Sequence, residues 1–107
     1  MHVLLEYKTR AGIPIVAEFK AANDPKGVVC HVGCAPDNEI VLPRAEFSDL
    51  GRQEFRVSCV GGELFLDHLQ TYNLLSIAGR LHKEGTVSPG VHDLRINDHS
   101  FKLTVGK

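Results

Sequence analysis

The amino-acid sequence predicts an all-β fold, a sandwich or barrel built from short strands. Apolar and polar residues alternate with the period of a β-strand along several segments, because successive strand side chains point to opposite faces. Clusters of Gly, Pro, Asn and Asp separate those segments at short intervals, as in sandwiches and barrels. The 107 residues suit one domain, so we expect a single folded unit over residues 1–107.

Five segments carry a strand pattern. Four have one apolar and one polar face, and their apolar residues are Val3, Leu5 and Tyr7; Ile13, Ile15, Ala17 and Phe19; Phe55, Val57 and Cys59; and Phe101, Leu103 and Val105. The fifth, Val28 to Val32, is short and mostly apolar. Gly61-Gly62 stands between the apolar runs 55–60 and 63–66. Two glycines tolerate the positive φ angles of a tight turn, so this pair predicts a β-hairpin.

Residues 67–81 are ambiguous. Leu69, Tyr72, Ser76 and Gly79 recur at helical spacing, and Gly85 suits the end of a helix. Short apolar runs do not distinguish a helix from a strand. From the pattern alone, both structures stay open for this segment.

Composition and charge exclude several functional classes. The chain is 43% hydrophobic and 23% charged with a formal net charge of -1, so it lacks the basic excess of a general nucleic-acid binder. No apolar run approaches the roughly 18 residues of a membrane span, and we expect no membrane insertion. The three cysteines, Cys30, Cys34 and Cys59, do not form a disulfide framework, which favours a reducing, cytoplasmic setting. A fragment of a larger protein fits the same data.

Four blocks of the sequence resemble, in order, the motifs of the forkhead-associated (FHA) family. They are VGCAPDNEIVLP at 32–43, GRQEFRV at 51–57, LQTYNLLSIAG at 69–79 and VSPGVHDLRI at 87–96. The resemblance implies an FHA-type β-sandwich of about eleven short strands with little or no helix, and with the binding loops at one end. It also implies two short strands around a turn at Ala78-Gly79 in place of a helix.

The same resemblance implies the position of a partner-binding site. Members of the family commonly bind phosphothreonine peptides through an Arg, a Ser and an Asn, and these positions are here Cys34, Gly51 and Asn73. A hydrogen bond to a charged group contributes about 1.5–3 kcal/mol. Loss of the Arg and Ser contacts therefore predicts an affinity for phosphothreonine lower by more than about a hundredfold. Glu54 stands where the family has a His that supports the loops.

The candidate residues for binding a protein or peptide partner are Gly33, Cys34, Gly51, Arg52, Thr71 and Asn73. Asn73 has two interpretations that both stay open: its amide binds a partner's backbone, or it joins two loops. The lost phosphate contacts have possible substitutes in Arg44, Arg52, Arg80 and Lys83, although solvated surface cations are the favoured interpretation. We predict that His2, His68, His82, His92 and His99 are exposed polar residues.

The predicted function is a protein–protein interaction or scaffold module that needs no phosphate and is not an enzyme. The alternative is a phosphothreonine-peptide-binding signalling domain with a rearranged site centred on Asn73 and Arg52. The changed site is similar to that of FHA-like domains in secretion-system ring proteins, which implies self-association as one role. Cys34 and His31 lack the second Cys/His pair of a zinc site and any nucleophile signature, so we expect no metal, cofactor or catalytic residue.

Overall fold

The structure is a computed structural model that describes residues 1–107. It consists of two β-sheets whose strands pair mostly antiparallel. Their ten strands, β1 to β10 in chain order, are His2–Lys8, Pro14–Lys20, Val28–Gly33, Ile40–Val41, Phe55–Val60, Glu63–His68, Leu75–Ile77, Arg80–Leu81, Gly90–Ile96 and His99–Gly106. The strand order is β2-β1-β10-β9-β7-β8 in the larger sheet and β4-β3-β5-β6 in the smaller one. Only β3 and β4 pair in parallel. The predicted all-β sandwich is confirmed.

The alternating segments supply the core between the two sheets. Val3, Leu5 and Tyr7 of β1 are buried, and so are the odd-numbered residues of β10 from 101 to 105. In β2 the corresponding residues, Ile15, Ala17 and Phe19, are partly buried and pack against the same cluster. Burial of about 25 cal/mol per Å² of apolar surface makes this cluster the main source of stability.

The hairpin at Gly61-Gly62 joins β5 to β6 as predicted. Both glycines have positive φ, 59° and 78°, which matches a type I′ turn and the right-handed twist of the flanking strands. The two strands pair from Phe55 opposite His68 to Val60 opposite Glu63.

Residues 67–81 form no helix. The chain leaves β6, turns through 69–74 and continues as β7 and β8, with Ala78 and Gly79 at positive φ in the turn between them. The helix that the spacing left open is therefore absent, and the turn that the resemblance implied is confirmed. Leu75 is buried, so this segment places an apolar side chain in the core as part of a strand.

The structure has ten regular strands where the resemblance implies about eleven. Residues 83–87 run alongside β6, with the Leu66 N–H donating to the Gly85 carbonyl and the Val87 N–H to the Leu64 carbonyl. Phe65 and Thr86 form an isolated bridge. This segment thus occupies the place of a further strand without forming a regular ladder. No helix long and apolar enough to cross a membrane is present.

Candidate functional site

The predicted site residues lie at one end of the sandwich, with Gly33 at the last position of β3 and the others on loops. This end is formed by the loop after β3, the loop between β4 and β5, the loop between β6 and β7, and the turn between β9 and β10. Backbone bonds tie the first two loops together, because the Cys34 N–H donates to the Gly51 carbonyl and the Ala35 N–H to the Arg52 carbonyl, each at 3.0 Å. The fold therefore brings residues far apart in sequence to one surface.

A buried carboxylate, Glu54, holds these loops together. Its side chain is 0% exposed. Oε1 accepts hydrogen bonds from the Gly51 N–H at 2.7 Å and from Asn73 Nδ2 at 2.8 Å. Oε2 lies 2.6 Å from His68 Nε2. Three partners satisfy the buried carboxylate, as burial of an acidic group requires.

His68 is the buried partner of this carboxylate, with a side chain that is 7% exposed. The prediction that His68 is an exposed polar residue is therefore wrong. The reason is the register of the β5–β6 hairpin, which places His68 opposite Phe55, directly beside Glu54. A buried carboxylate and an imidazole within hydrogen-bond distance satisfy each other.

Asn73 uses its side-chain amide inside the molecule. Nδ2 donates to Glu54 Oε1 and, at 3.3 Å, to the Asp49 carbonyl, while Oδ1 accepts from Asn97 Nδ2 at 2.9 Å. The residue is buried. This arrangement corresponds to the interpretation in which Asn73 joins loops, and both of its amide hydrogens already have intramolecular acceptors.

Asp49 extends the same network to the β9–β10 turn. One carboxylate oxygen accepts from Asn97 Nδ2 at 2.9 Å, and the other lies 2.7 Å from His99 Nε2. Partial burial works against ionisation of Asp49, but these hydrogen bonds outweigh it and hold the pKa of the carboxyl below its ordinary value. Asn97 adopts a left-handed φ of 53°, which an Asn tolerates.

Gly51, where the resemblance implies a Ser, is covered by the side chain of Gln70. A Cβ on Gly51 would lie 2.6 Å from Cδ of Gln70. The Gln70 side chain is held there by a 2.8 Å hydrogen bond from its Nε2 to the Gln53 carbonyl. A hydroxymethyl group at position 51 would have to displace Gln70.

Gly33 and Arg52 meet through their backbones. A Cβ on Gly33 would lie 2.2 Å from the Arg52 carbonyl oxygen, so only glycine fits where the end of β3 crosses the loop before β5. The same carbonyl accepts from Asn38 Nδ2 at 2.6 Å. The Arg52 side chain is exposed and makes no ion pair.

Cys34 is a buried residue of the core cluster. Its Sγ lies 3.5 Å from the Phe47 carbonyl oxygen, to which the thiol donates. Burial raises the pKa of the Cys34 thiol; the charge of Arg44 opposes this, whereas the carboxylates of Glu54 and Asp49 act in the same direction as burial. His31 pairs instead with Glu39 at 3.1 Å, so the Cys34 thiol and the His31 ring have separate partners.

Thr71 and Asn73 line a small cavity of about 200 Å³ together with Lys83. Lys83 is placed there because its carbonyl accepts the His68 N–H at 2.7 Å, which fastens the residue to the end of β6. Of the four cations named in the sequence as possible phosphate contacts, Lys83 shares a cavity with Asn73. Arg44, Arg52 and Arg80 do not line this cavity.

Sequence reasoning missed the residues that organise this end of the molecule, namely His68, Gln70, Asp49 and Asn97. Their roles depend on contacts across 14 to 50 residues. The Asn-Asp pair at 97–98 was an available signal for the turn, but nothing local indicates that Asn97 bonds both Asn73 and Asp49.

The solved structures that resemble this chain are FHA domains. One, from a study of phosphothreonine-dependent FHA domain interactions, has a TM-score of 0.69 and 14% identity, with 100% of this chain and 99% of that chain covered. The FHA domain of the CT664 protein from Chlamydia trachomatis has a TM-score of 0.67 and 20% identity over 100% of both chains. The FhaA FHA domain, solved with the intracellular domain of Rv3910, has a TM-score of 0.63 and 15% identity over 95% of this chain and 97% of that chain.

Sequence comparison finds no such relation: no protein-family model and no curated protein matches the chain. The structural likeness covers the whole sandwich and includes the end that carries Glu54 and Asn73. The chain has the fold of the forkhead-associated domains.

Proposed function

We propose that this chain is a protein-interaction module that binds a protein or peptide partner through its end loops without requiring phosphate. The observation that carries the proposal is the hydrogen bonding of Glu54. This carboxylate accepts hydrogen bonds from the Gly51 N–H and an Asn73 amide hydrogen, and positions 51 and 73 are those where the resemblance implies contacts with a phosphopeptide. A phosphate near a buried carboxylate is electrostatically disfavoured, since like charges raise the free energy of both ionised groups.

The solved neighbours support the general class. One was studied for phosphothreonine-dependent interactions, and FhaA was solved with the intracellular domain of another protein. We extend interaction with a protein partner to this chain and propose no enzymatic, nucleic-acid-binding or membrane-inserting role for it. A reducing, cytoplasmic location belongs to the proposal and is supported by three cysteines without disulfide partners.

A scaffold role between copies of this chain is the extension suggested by the FHA-like domains of secretion-system rings. Sedimentation velocity over a wide range of protein concentration tests it. Self-association is expected to appear as a sedimentation coefficient that rises with concentration, and a constant monomer value at all concentrations contradicts the scaffold extension.

The direct test of phosphate independence uses a degenerate phosphothreonine peptide library and the same library without phosphate. We expect no preference for the phosphorylated library in fluorescence anisotropy titrations. Saturable binding that disappears after phosphatase treatment of the peptides would refute the proposal. Circular dichroism of each protein sample confirms that the sandwich is folded before the titration.

A second candidate function is a phosphothreonine reader with a rearranged site, and the position of Lys83 favours it. Lys83 lines one cavity with Thr71 and Asn73. The Lys83 ammonium and the Thr71 hydroxyl are groups able to donate hydrogen bonds to a phosphate. If this candidate is correct, Lys83→Gln abolishes phosphate-dependent binding, whereas Arg52→Gln has little effect. The equivalent change at the exposed Lys26, in the turn before β3, is the control for general charge effects.

A further inference from the structure

The cavity beside Asn73 has a buried floor and a rim of both apolar and polar residues. His68 and the buried Leu75 line it from the end of β6 and the start of β7, while Leu74, Leu81 and Lys83 line it from the exposed side. Its volume of about 200 Å³ is smaller than the roughly 300–1,000 Å³ of sites that hold a whole small molecule. The cavity is therefore of a size for one side chain.

Exposed apolar residues are concentrated around this cavity. The three most exposed large hydrophobic side chains in the chain are Tyr72 at 71%, Leu81 at 70% and Leu74 at 64%. Leu74 and Leu81 line the cavity, and Tyr72 lies on the 69–74 loop together with Leu74. Isolated exposed apolar residues are ordinary, but a group of them at one concavity is typical of an interaction surface.

The charged group at this surface is a cation without an intramolecular partner. Lys83 is exposed and makes no ion pair, and its acidic neighbour Glu84 does not line the cavity. The Thr71 hydroxyl stands at the same rim. An acidic group on a partner thus meets a free ammonium and a hydroxyl donor, while a basic group meets a like charge.

We infer that this cavity receives one aliphatic side chain of a partner peptide that carries an Asp or Glu close to it in sequence. The aliphatic group enters between Leu74 and Leu81, and the acidic group pairs with Lys83 at the rim. This inference rests on the proposed function and names the partner's chemistry. The floor residue His68 is fixed by Glu54, so the network that occupies Asn73 also shapes the cavity.

A positional-scanning library of unphosphorylated short peptides tests the inference, with fluorescence anisotropy to select ligands and ¹H–¹⁵N spectra to locate them. We expect selected peptides to share a Leu, Ile or Met with a neighbouring acidic residue. Their binding should shift the amide signals of Thr71, Leu74, Leu81 and Lys83. Leu81→Ser removes an apolar contact and should weaken binding by about tenfold to a hundredfold.

The charge contact has its own variant and control. Lys83→Glu should weaken the binding of the acidic peptides by about threefold to tenfold, which is the range of an exposed ion pair. The same variant should bind basic analogues of these peptides more tightly than the wild type does. Val91→Ser and Lys26→Glu, at exposed positions on β9 and in the turn before β3, are matched controls that should leave binding unchanged.

Each other outcome separates the inference from the proposed function. If unphosphorylated peptides bind and their affinity is unchanged by Leu81→Ser and Lys83→Glu, the cavity inference is wrong and the proposed function still stands. Peptides that bind only when phosphorylated overturn both. If no unphosphorylated peptide binds at all, the inference that the cavity receives a peptide side chain is wrong.

Discussion

Removal of the Glu54 carboxylate should destabilise the whole loop end of the sandwich. In Glu54→Ala the Gly51 N–H, one Asn73 amide hydrogen and the His68 ring lose their partner while staying buried. Breaking a buried pair by removing one member costs about 3–5 kcal/mol, and hydrogen bonds to a charged group contribute about 1.5–3 kcal/mol each. We expect a loss of about 3–5 kcal/mol, a large share of the roughly 5–15 kcal/mol that a domain has.

Urea unfolding followed by far-ultraviolet circular dichroism measures this loss, since the chain has no tryptophan. With a urea dependence of about 1–3 kcal/mol per molar, the unfolding midpoint should fall by at least about 1 M. Glu63→Ala, which removes an exposed carboxylate without hydrogen-bond partners at the start of β6, is the matched control and should change stability by less than about 0.5 kcal/mol. A Glu54→Ala protein within about 1 kcal/mol of the wild type would refute the assignment of Glu54 as the group that holds these loops together.

The interaction with His68 can be separated from the rest of the network by a double-mutant cycle. Glu54→Ala and His68→Ala should be non-additive by about 0.5–3 kcal/mol, because each removes the same contact. Additive losses would show that the 2.6 Å contact between the two side chains contributes nothing to stability.

Three further predictions concern the backbone, the acidic network and the thiols. Gly33→Ala should lower the free energy of unfolding by at least about 2 kcal/mol, because the added Cβ would lie 2.2 Å from a backbone oxygen. Gly106→Ala is the control, since no atom lies near its Cβ. Equal unfolding midpoints for the two variants would contradict the prediction. Burial opposes ionisation of Asp49, but hydrogen bonds hold its pKa below the ordinary value. The stability difference between wild type and Asp49→Asn is therefore full above about pH 4 and disappears as pH falls through the lower folded pKa. This stability difference should not exceed about 1 kcal/mol, because the Asp49 side chain is 45% exposed. If urea unfolding gives the same difference at every pH, the prediction is wrong. Burial, and then the charge of Glu39, raise the pKa of Cys30 to about 12, and burial also raises that of Cys34. Both should react with iodoacetamide at least about a hundredfold more slowly in the folded chain than in guanidinium, and rapid labelling of either by mass spectrometry would contradict this.

Strand positions were predictable from the sequence because their cause is local. The alternation in Val3-Leu5-Tyr7 and Phe101-Leu103-Val105 places one face of each strand in the core, and the structure buries all six side chains. The glycine pair at 61–62 predicts its hairpin for a similarly local reason. Residues 67–81 were ambiguous because strand and helix bury short apolar runs equally well, and only the order of the FHA-like blocks selected the strands.

The chemistry of the candidate site was not predictable in the same way. Glu54 and His68 are both polar, and sequence statistics place such residues at the surface unless they are paired. Their pairing depends on the β5–β6 register, and that of Asn73 depends on a loop 19 residues from Glu54. The resemblance pointed to position 54 as a loop support, but it did not indicate that the carboxylate would be fully buried.

The fold and the recognition chemistry of this chain therefore depend on different residues. The sandwich rests on a buried cluster of 23 residues, and exchange of a few loop side chains leaves that cluster untouched. In the resemblance a His supports the binding loops; here Glu54 stands in its place, and His68 at the end of β6 is its hydrogen-bond partner. The pair still holds the loops, but its acidic member now takes the Gly51 and Asn73 donors. A clamp of this kind ties the loop end together. Under the proposed function it also occupies donors at positions where the resemblance implies contacts with a phosphopeptide, so that a partner is recognised by groups outside the clamp. Leu74, Leu81 and Lys83 are exposed residues that border it.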